Sequence, residues 1–388
     1  MRSTLQLTPF FTGLNLINLG MDEQSTVTAK SQQRTNPGFS VKLEALRGLA
    51  ALMVVGHHTF PNHTWTHIPF NGSAAVSLFF VLSGYVLGLS LRRGTGTVLQ
   101  QYGLFLWRRV FRIYPAYFAT TLACWIYWQW YPFEGGGGRH LWFFETLQLG
   151  HLQQIKNLLF LDQSINPVTW SLKVEMAGSI VLPLLHFLSR KMRWPGWIML
   201  FAAMVLLSFV PGSGASRQRL YMFYLGYLIV DIERLPKFAD HVYAMITCLS
   251  GCLFLAANFV GDSVGLRFEL FVEAISAAGI VLGIQAGGSS LGGILNRPWT
   301  RFAGRVSYSV FLCHQLILDV VVSLFHRFAF ANHPSTGLAY LYLWLGLLVS
   351  LPFVLLVAAA LYRWVEAPFM KLGKRLEPAA RGLPIQRL

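Results

Sequence analysis

The sequence predicts an all-α polytopic membrane protein of about ten transmembrane helices with both termini cytoplasmic, and three observations carry that prediction. Only 12% of the 388 residues are charged while 54% are hydrophobic, against about 25% charged in an ordinary soluble domain. Apolar runs recur at lengths near the roughly 20 residues a helix needs to cross the hydrocarbon layer. The mean hydropathy of +0.49 coexists with a net charge of +15, and that charge falls mainly on one side of the expected spans. A basic disordered or nucleic-acid-binding chain would carry few apolar residues, so no nucleic-acid partner is expected.

Taken in order, residues 1–43 read as a cytoplasmic tail, since they contain no long apolar core followed by a small-residue cleavage site. Ten apolar segments follow: 44–61, 70–91, 104–131, 167–189, 195–210, 219–232, 241–260, 268–286, 302–326 and 338–364. The segments at 195–210 and 219–232 are short for a crossing. Residues 44–370 form one membrane domain, and 371–388 a basic cytoplasmic tail. The one long connection, 132–166, contains Gly135 to Gly138 and several aromatics. With the N-terminus inside, 24 of the 31 Lys and Arg lie on the cytoplasmic side and 6 outside, as the positive-inside rule requires.

The four cysteines, Cys124, Cys248, Cys252 and Cys313, sit inside apolar runs without acids or histidines at ligand spacing. They read as small core residues, and no metal is expected.

Ionisable groups at membrane depth are costly and mark function, so they are where chemistry is sought. Arg47 and His58 lie eleven residues apart on the first span, which sets His58 about 16 Å deeper. His58 reads as a general base or, with His57, His63 and His67, as a lining of the outer interface. Arg109 and Arg112 are i,i+3 and share a face. They suit a phosphate or serve as an orientation anchor. Glu175 lies about 12 Å below the outer end of span four, at the depth of His58, where a Glu–His pair is possible. The alternative is an interfacial pair with Lys173. His314 and Asp319 show an H-x4-D spacing, but residues five apart on an unbroken helix diverge, so His314 reads as a structural, hydrogen-bonded residue. Glu273 and Asp319 are intramembrane acids without an evident partner.

Six short blocks of characteristic spacing follow one another along these segments. Arg47 and His58 match R/K-x10-H, and Val76 to Tyr85 is similar to F-F-x-L-S-G-[FY], which includes Ser83. Arg109, Arg112, Ile113, Tyr114 and Pro115 resemble R-x-x-R-I-x-P, and Trp170, Ser171, Leu172 and Glu175 match W-S-L-x-x-E. Ser307, Tyr308, Leu312 and His314 resemble S-Y-x-x-[YF]-L-x-H, and Glu366 to Pro368 the final E-x-P. Taken together and in this order, the six blocks resemble those of acyltransferase family 3, membrane proteins that O-acylate cell-surface glycans.

The resemblance implies a cytoplasmic acyl-CoA donor, acetyl-CoA foremost, contacted by Arg109 and Arg112 with Arg47 nearby. It implies an essential His58 near a glycan or lipid-linked sugar acceptor, in a multi-pass protein of the plasma (bacterial inner) membrane. Ser83, Tyr114, Trp170, Ser171, Tyr308, His314 and Glu366 would support the site. The few residues after position 370 correspond to the membrane-only form of the family, without a fused extracytoplasmic domain. The expected chemistry is acyl transfer with His58 as base and Glu175 as its orienting partner. A transporter or flippase for an anionic or lipid-linked substrate is the alternative, although repeated halves are not seen.

Overall fold

A computed structural model describes residues 41–60, 70–93, 97–130, 150–212, 214–232, 238–286, 292–331 and 336–377. The expected tail, apart from its last three residues, lies outside the described residues. So do His63, His67, Gly135 to Gly138, Trp142, Phe143 and the side chains of Trp128 and Trp130.

Among the described residues the chain is helical. The helices are α1 (Val41–Thr59), α2 (Gly72–Arg93), α3 (Val98–Trp130), α4 (His151–Leu158), α5 (Trp170–Ser189, entered through a 3-10 turn at Pro167–Thr169) and α6 (Trp194–Ser208). They continue as α7 (Ala215–Ile232), α8 (Asp240–Val264), α9 (Leu266–Ala286), α10 (Gly292–Leu295), α11 (Pro298–Ala331), α12 (Thr336–Leu361), a π-helical turn at Tyr362–Glu366 and α13 (Ala367–Arg375). All ten expected segments coincide with helices. Among the described residues, five stretches are long and apolar enough to cross a membrane: Gly72–Arg92, Pro167–Ser189, Asp240–Ala257, Leu266–Ala286 and Leu341–Arg375.

Helix α2 is the hub, packing against α1, α5, α7 and α9. Two of these contacts depend on the absence of a side chain. A Cβ on Gly84 would lie 2.0 Å from the Phe223 carbonyl oxygen, and one on Gly226 would lie 2.0 Å from that of Val81. The backbones of α2 and α7 therefore touch, as small residues allow in membrane helix pairs. Helices α1 and α11 meet the same way: a Cβ on Gly48 would lie 2.4 Å from the Gly304 nitrogen.

Three apolar clusters fill the interior. One centres on α2, α7 and α9, one on α1, α11 and α12, and a smaller one on α3, α5 and α11 through Ile113, Tyr117, Leu172, Tyr308 and Leu312. The outward faces are apolar too: Leu348, Phe353 and Leu356 of α12 are exposed. Cys248 and Cys252 correct one expectation. Both are exposed on α8, whereas Cys124 and Cys313 are buried. In a lipid-facing helix an apolar neighbourhood does not distinguish the outer face from the core.

The segment before α5 turns back into the bundle. Helix α4 ends in a Schellman arrangement, with Leu161 N–H donating to the Lys156 carbonyl and Phe160 N–H to that of Asn157. Phe160 takes the left-handed position (φ 66°) usually given to glycine. Its ring is held edge-on to Tyr117 at 4.5 Å. Further on, Asn166 Nδ2 donates to the Leu312 carbonyl on α11 (3.2 Å). Helix α5 thus begins inside the bundle, beside α11.

Candidate active site

The spacing of the sequence blocks is the spacing of helix faces. Eleven residues are close to three turns, so Arg47 and His58 lie on one stripe of α1, about 16 Å apart. Ser307, Phe311 and His314 form a matching stripe on α11, Val76, Phe79, Phe80 and Ser83 one on α2, and Ser171, Glu175 and Ser179 one on α5. The stripes converge. Arg47, Val76, Phe79, Phe80, Ser83, Ser171, Leu172, Glu175, Ser307, Tyr308 and Phe311 line a half-open cavity of about 30 Å³. That is room for roughly two waters, at about 10–15 Å³ each.

One end of the cavity is ionic. Arg109, 8% exposed, donates from Nη2 to Glu175 Oε1 (2.7 Å) and from Nε to Ser179 Oγ (3.0 Å). Ser83 Oγ donates to the same Glu175 oxygen (3.3 Å). Arg112 lies within electrostatic reach of Glu366, Glu44, Glu175 and Arg47. Glu366 sits on the π turn, buried, and accepts from Ser309 Oγ (2.8 Å). Around this end four guanidinium groups, Arg47, Arg109, Arg112 and Arg305, face three carboxylates, Glu44, Glu175 and Glu366. Arg109 is held by hydrogen bonds to Glu175 and Ser179, whereas Arg112 acts on Glu175, Glu366 and Glu44 through its charge.

Beyond the cavity, at the far end of the α1 and α11 stripes, His58 Nδ1 lies 2.8 Å from His314 Nε2. His314 Nδ1 points at the Phe311 carbonyl (2.8 Å) and the Val310 carbonyl (3.2 Å). A carbonyl oxygen only accepts, so His314 carries its proton on Nδ1 and its neutral Nε2 is an acceptor. The donor to that acceptor is His58 Nδ1–H. His58 is left with an unprotonated Nε2, the form a general base needs.

The expected Glu175–His58 pair does not form. Counted from Pro167 as the outer edge of the bundle, Glu175 falls at the depth of His58. Through Asn166 and Leu312, however, α5 starts near the depth of His314, so Glu175 lies about 12 Å further toward the Arg47 end. Lys173 is exposed and is not the partner of Glu175 either.

The residues expected to support the site take up different positions. Tyr308 Oη donates to the Ile113 carbonyl (2.8 Å), tying α11 to the Arg109–Pro115 block. Ser171 Oγ caps the Val168 carbonyl (3.4 Å). Trp170 stands edge-on to Phe80, with Arg219 over its face at 4.8 Å. Tyr114 is half-exposed on the outside of α3 and donates to the Leu158 carbonyl (3.2 Å), away from the cavity. Glu273 and Asp319 find partners the sequence left unnamed. Glu273 accepts from Ser73 and Ser77, and Asp319 from Tyr127. Sequence reasoning missed Ser179 and the cavity-lining roles of Phe79 and Phe311. Ser179 was signalled by its i+4 position from Glu175, and the phenylalanines by their places on the α2 and α11 stripes.

A 40% identical stretch of 85 residues, 21% of this chain, matches "Protein 2 in picA locus" of Rhizobium radiobacter; it spans 41% of that protein. No solved structure matches the chain. A family profile described as an acyltransferase domain matches residues 40–363, nearly all of the helical bundle. The chain belongs to acyltransferase family 3.

Proposed function

We propose that this membrane acyltransferase moves an acetyl group from acetyl-CoA to a hydroxyl of a cell-surface or lipid-linked glycan, with His58 as the general base. The observation that carries the reading is the hydrogen-bond chain that leaves His58 Nε2 unprotonated, on the same α1 stripe whose Arg47 lines a cavity with a basic end. A thioester is already activated, so the protein's task is to align the acceptor and take its proton.

The steps balance without an added reactant. His58 Nε2 takes the proton of the acceptor hydroxyl as its oxygen attacks the thioester carbonyl. The C–S bond breaks, and the CoA sulfur receives the proton from His58. His314 fixes the tautomer and shares the imidazolium charge through the ring contact. The excess of guanidinium over carboxylate at the Arg47 end supports a phosphate-bearing donor entering there. With the positive-inside distribution, that end faces the cytoplasm. Glu175 is assigned a different role from the one expected: it holds Arg109 and Ser83, and so shapes the donor end rather than the base.

The test is direct. Purified protein is supplied with isotopically labelled acetyl-CoA and surface glycan, and the product is read by mass. Label should enter the glycan with wild type and not with His58→Ala. Undiminished transfer by His58→Ala would sink the assignment of the base.

A further inference from the structure

Between the cavity and the histidine pair stand two aromatic rings. Phe79 of α2 and Phe311 of α11 both line the cavity, and they meet edge to face, with centroids 6.0 Å apart at 74°. The Phe311 ring also lies 5.8 Å from that of His314. Phe79 packs against the apolar cluster of Ala51 and Val55, the residues below His58 on its own stripe of α1. A group travelling from the Arg47 end of the cavity to His58 therefore meets this ring pair.

We propose that Phe79 and Phe311 form the constriction that sets which acyl groups reach His58, admitting acetyl and holding back longer chains. The inference rests on the acyl-CoA reading above. Its physical basis is the close packing of the two rings. Edge-to-face aromatic contacts are favourable and well defined, and each residue is fixed by its helix stripe, so the pair opens by small ring rotations rather than by helix movement. An acetyl group passes such a slot with little displacement. A butyryl chain must displace a ring from its contact with the other. The same seal separates the thioester from water on the His58 side until the acceptor hydroxyl is in place, so the constriction also limits wasteful hydrolysis.

The experiment compares wild type with Phe79→Ala, Phe311→Ala and the milder Phe79→Leu and Phe311→Leu, all in detergent. Acetyl-CoA and butyryl-CoA compete for one glycan acceptor, and CoA release is followed in parallel without acceptor. The butyryl-to-acetyl ratio of kcat/KM should rise about tenfold or more in the Ala variants, the scale at which pocket contacts discriminate one or two methylenes. The Leu variants should give a smaller rise, and acceptor-free CoA release should increase. Ratios within twofold of wild type in variants that still melt cooperatively would overturn the constriction while leaving the enzyme reading intact. If the Ala variants fail to fold, the Leu pair decides by the same criterion. Wild type that releases no CoA from either donor would instead sink the acyl-CoA reading, and the constriction with it.

Discussion

His58 and His314, 256 residues apart in sequence, stack at 16° with Nδ1 of the first 2.8 Å from Nε2 of the second. Each proton position follows from the next: backbone carbonyls fix His314, and His314 fixes His58. Removal of His58 should therefore lower kcat by about 10²–10⁴, the usual weight of a general base. His314→Ala should lower kcat about tenfold or more, the equivalent of one hydrogen bond to a charged group. His314→Gln, whose amide oxygen can accept from His58 Nδ1–H, should recover part of the loss. In both His314 variants the donor KM should stay near wild type, because the pair lies away from the ionic end. A purely structural His314 would show no preference for Gln over Ala.

The ion pair between Arg109 and Glu175 gives a stability prediction. Both side chains are largely buried, at 9% and 14% exposed. Breaking such a pair from one side leaves an uncompensated charge and costs about 3–5 kcal/mol. Glu175→Ala should lower the thermal midpoint in detergent markedly. The double variant Glu175→Ala with Arg109→Leu should be less destabilised than the sum of the singles, by a coupling of about 1–3 kcal/mol. Additive effects would show that the pair contributes nothing specific.

Much of this arrangement was legible beforehand, and the reasons for the remainder are physical. The lengths of the apolar runs located ten helices, because a bilayer-length segment needs a continuous apolar stretch. The eleven-residue interval from Arg47 to His58 and the seven-residue interval from Ser307 to His314 are helix-face intervals, so residues meant to share a face were visible. Which helices neighbour one another was not. The pairing of Glu175 with His58 failed because depth was counted from Pro167 as though it lay at a surface. The turn at Phe160 and the Asn166 contact draw that point inward, and neither leaves a hydropathy signal. Cys248 and Cys252 were misplaced because lipid-facing and core-facing surfaces are equally apolar.

The backbone contact of α2 with α7 predicts an intolerance that the side chains alone would not suggest. Gly84 and Gly226 each leave space that the opposing carbonyl oxygen already occupies, 2.0 Å from any added Cβ. Rigid backbone cannot yield as a flexible side chain would. Gly84→Ala should cost about 1–3 kcal/mol or more through overpacking, read as a lower melting midpoint. Because Ser83 and Glu175 adjoin that contact, transfer activity should fall with it. Gly103→Ala is the control: no atom lies within 4 Å of a Cβ there, so stability should stay at or above wild type.

The ionic end separates two arginines that the sequence treated alike. Arg109 spends one nitrogen on Glu175 and another on Ser179, so its loss should appear first as lost stability. Arg112 faces Glu366 and Arg47 across the donor end, and the proposed phosphate contact rests mainly on it. Arg112→Ala should raise the KM for acyl-CoA about tenfold, the equivalent of one charge-assisted hydrogen bond of about 1.5 kcal/mol. The melting midpoint should change less than in Arg109→Ala. Arg112→Lys keeps the charge but loses the fork, so it should recover only part of the affinity. Titration of the purified variants with CoA, followed by heat or by thermal shift, separates the two roles. An Arg112→Ala protein that binds CoA as wild type does would remove the phosphate assignment and leave Arg112 as a counter-charge to Glu366, Glu175 and Glu44.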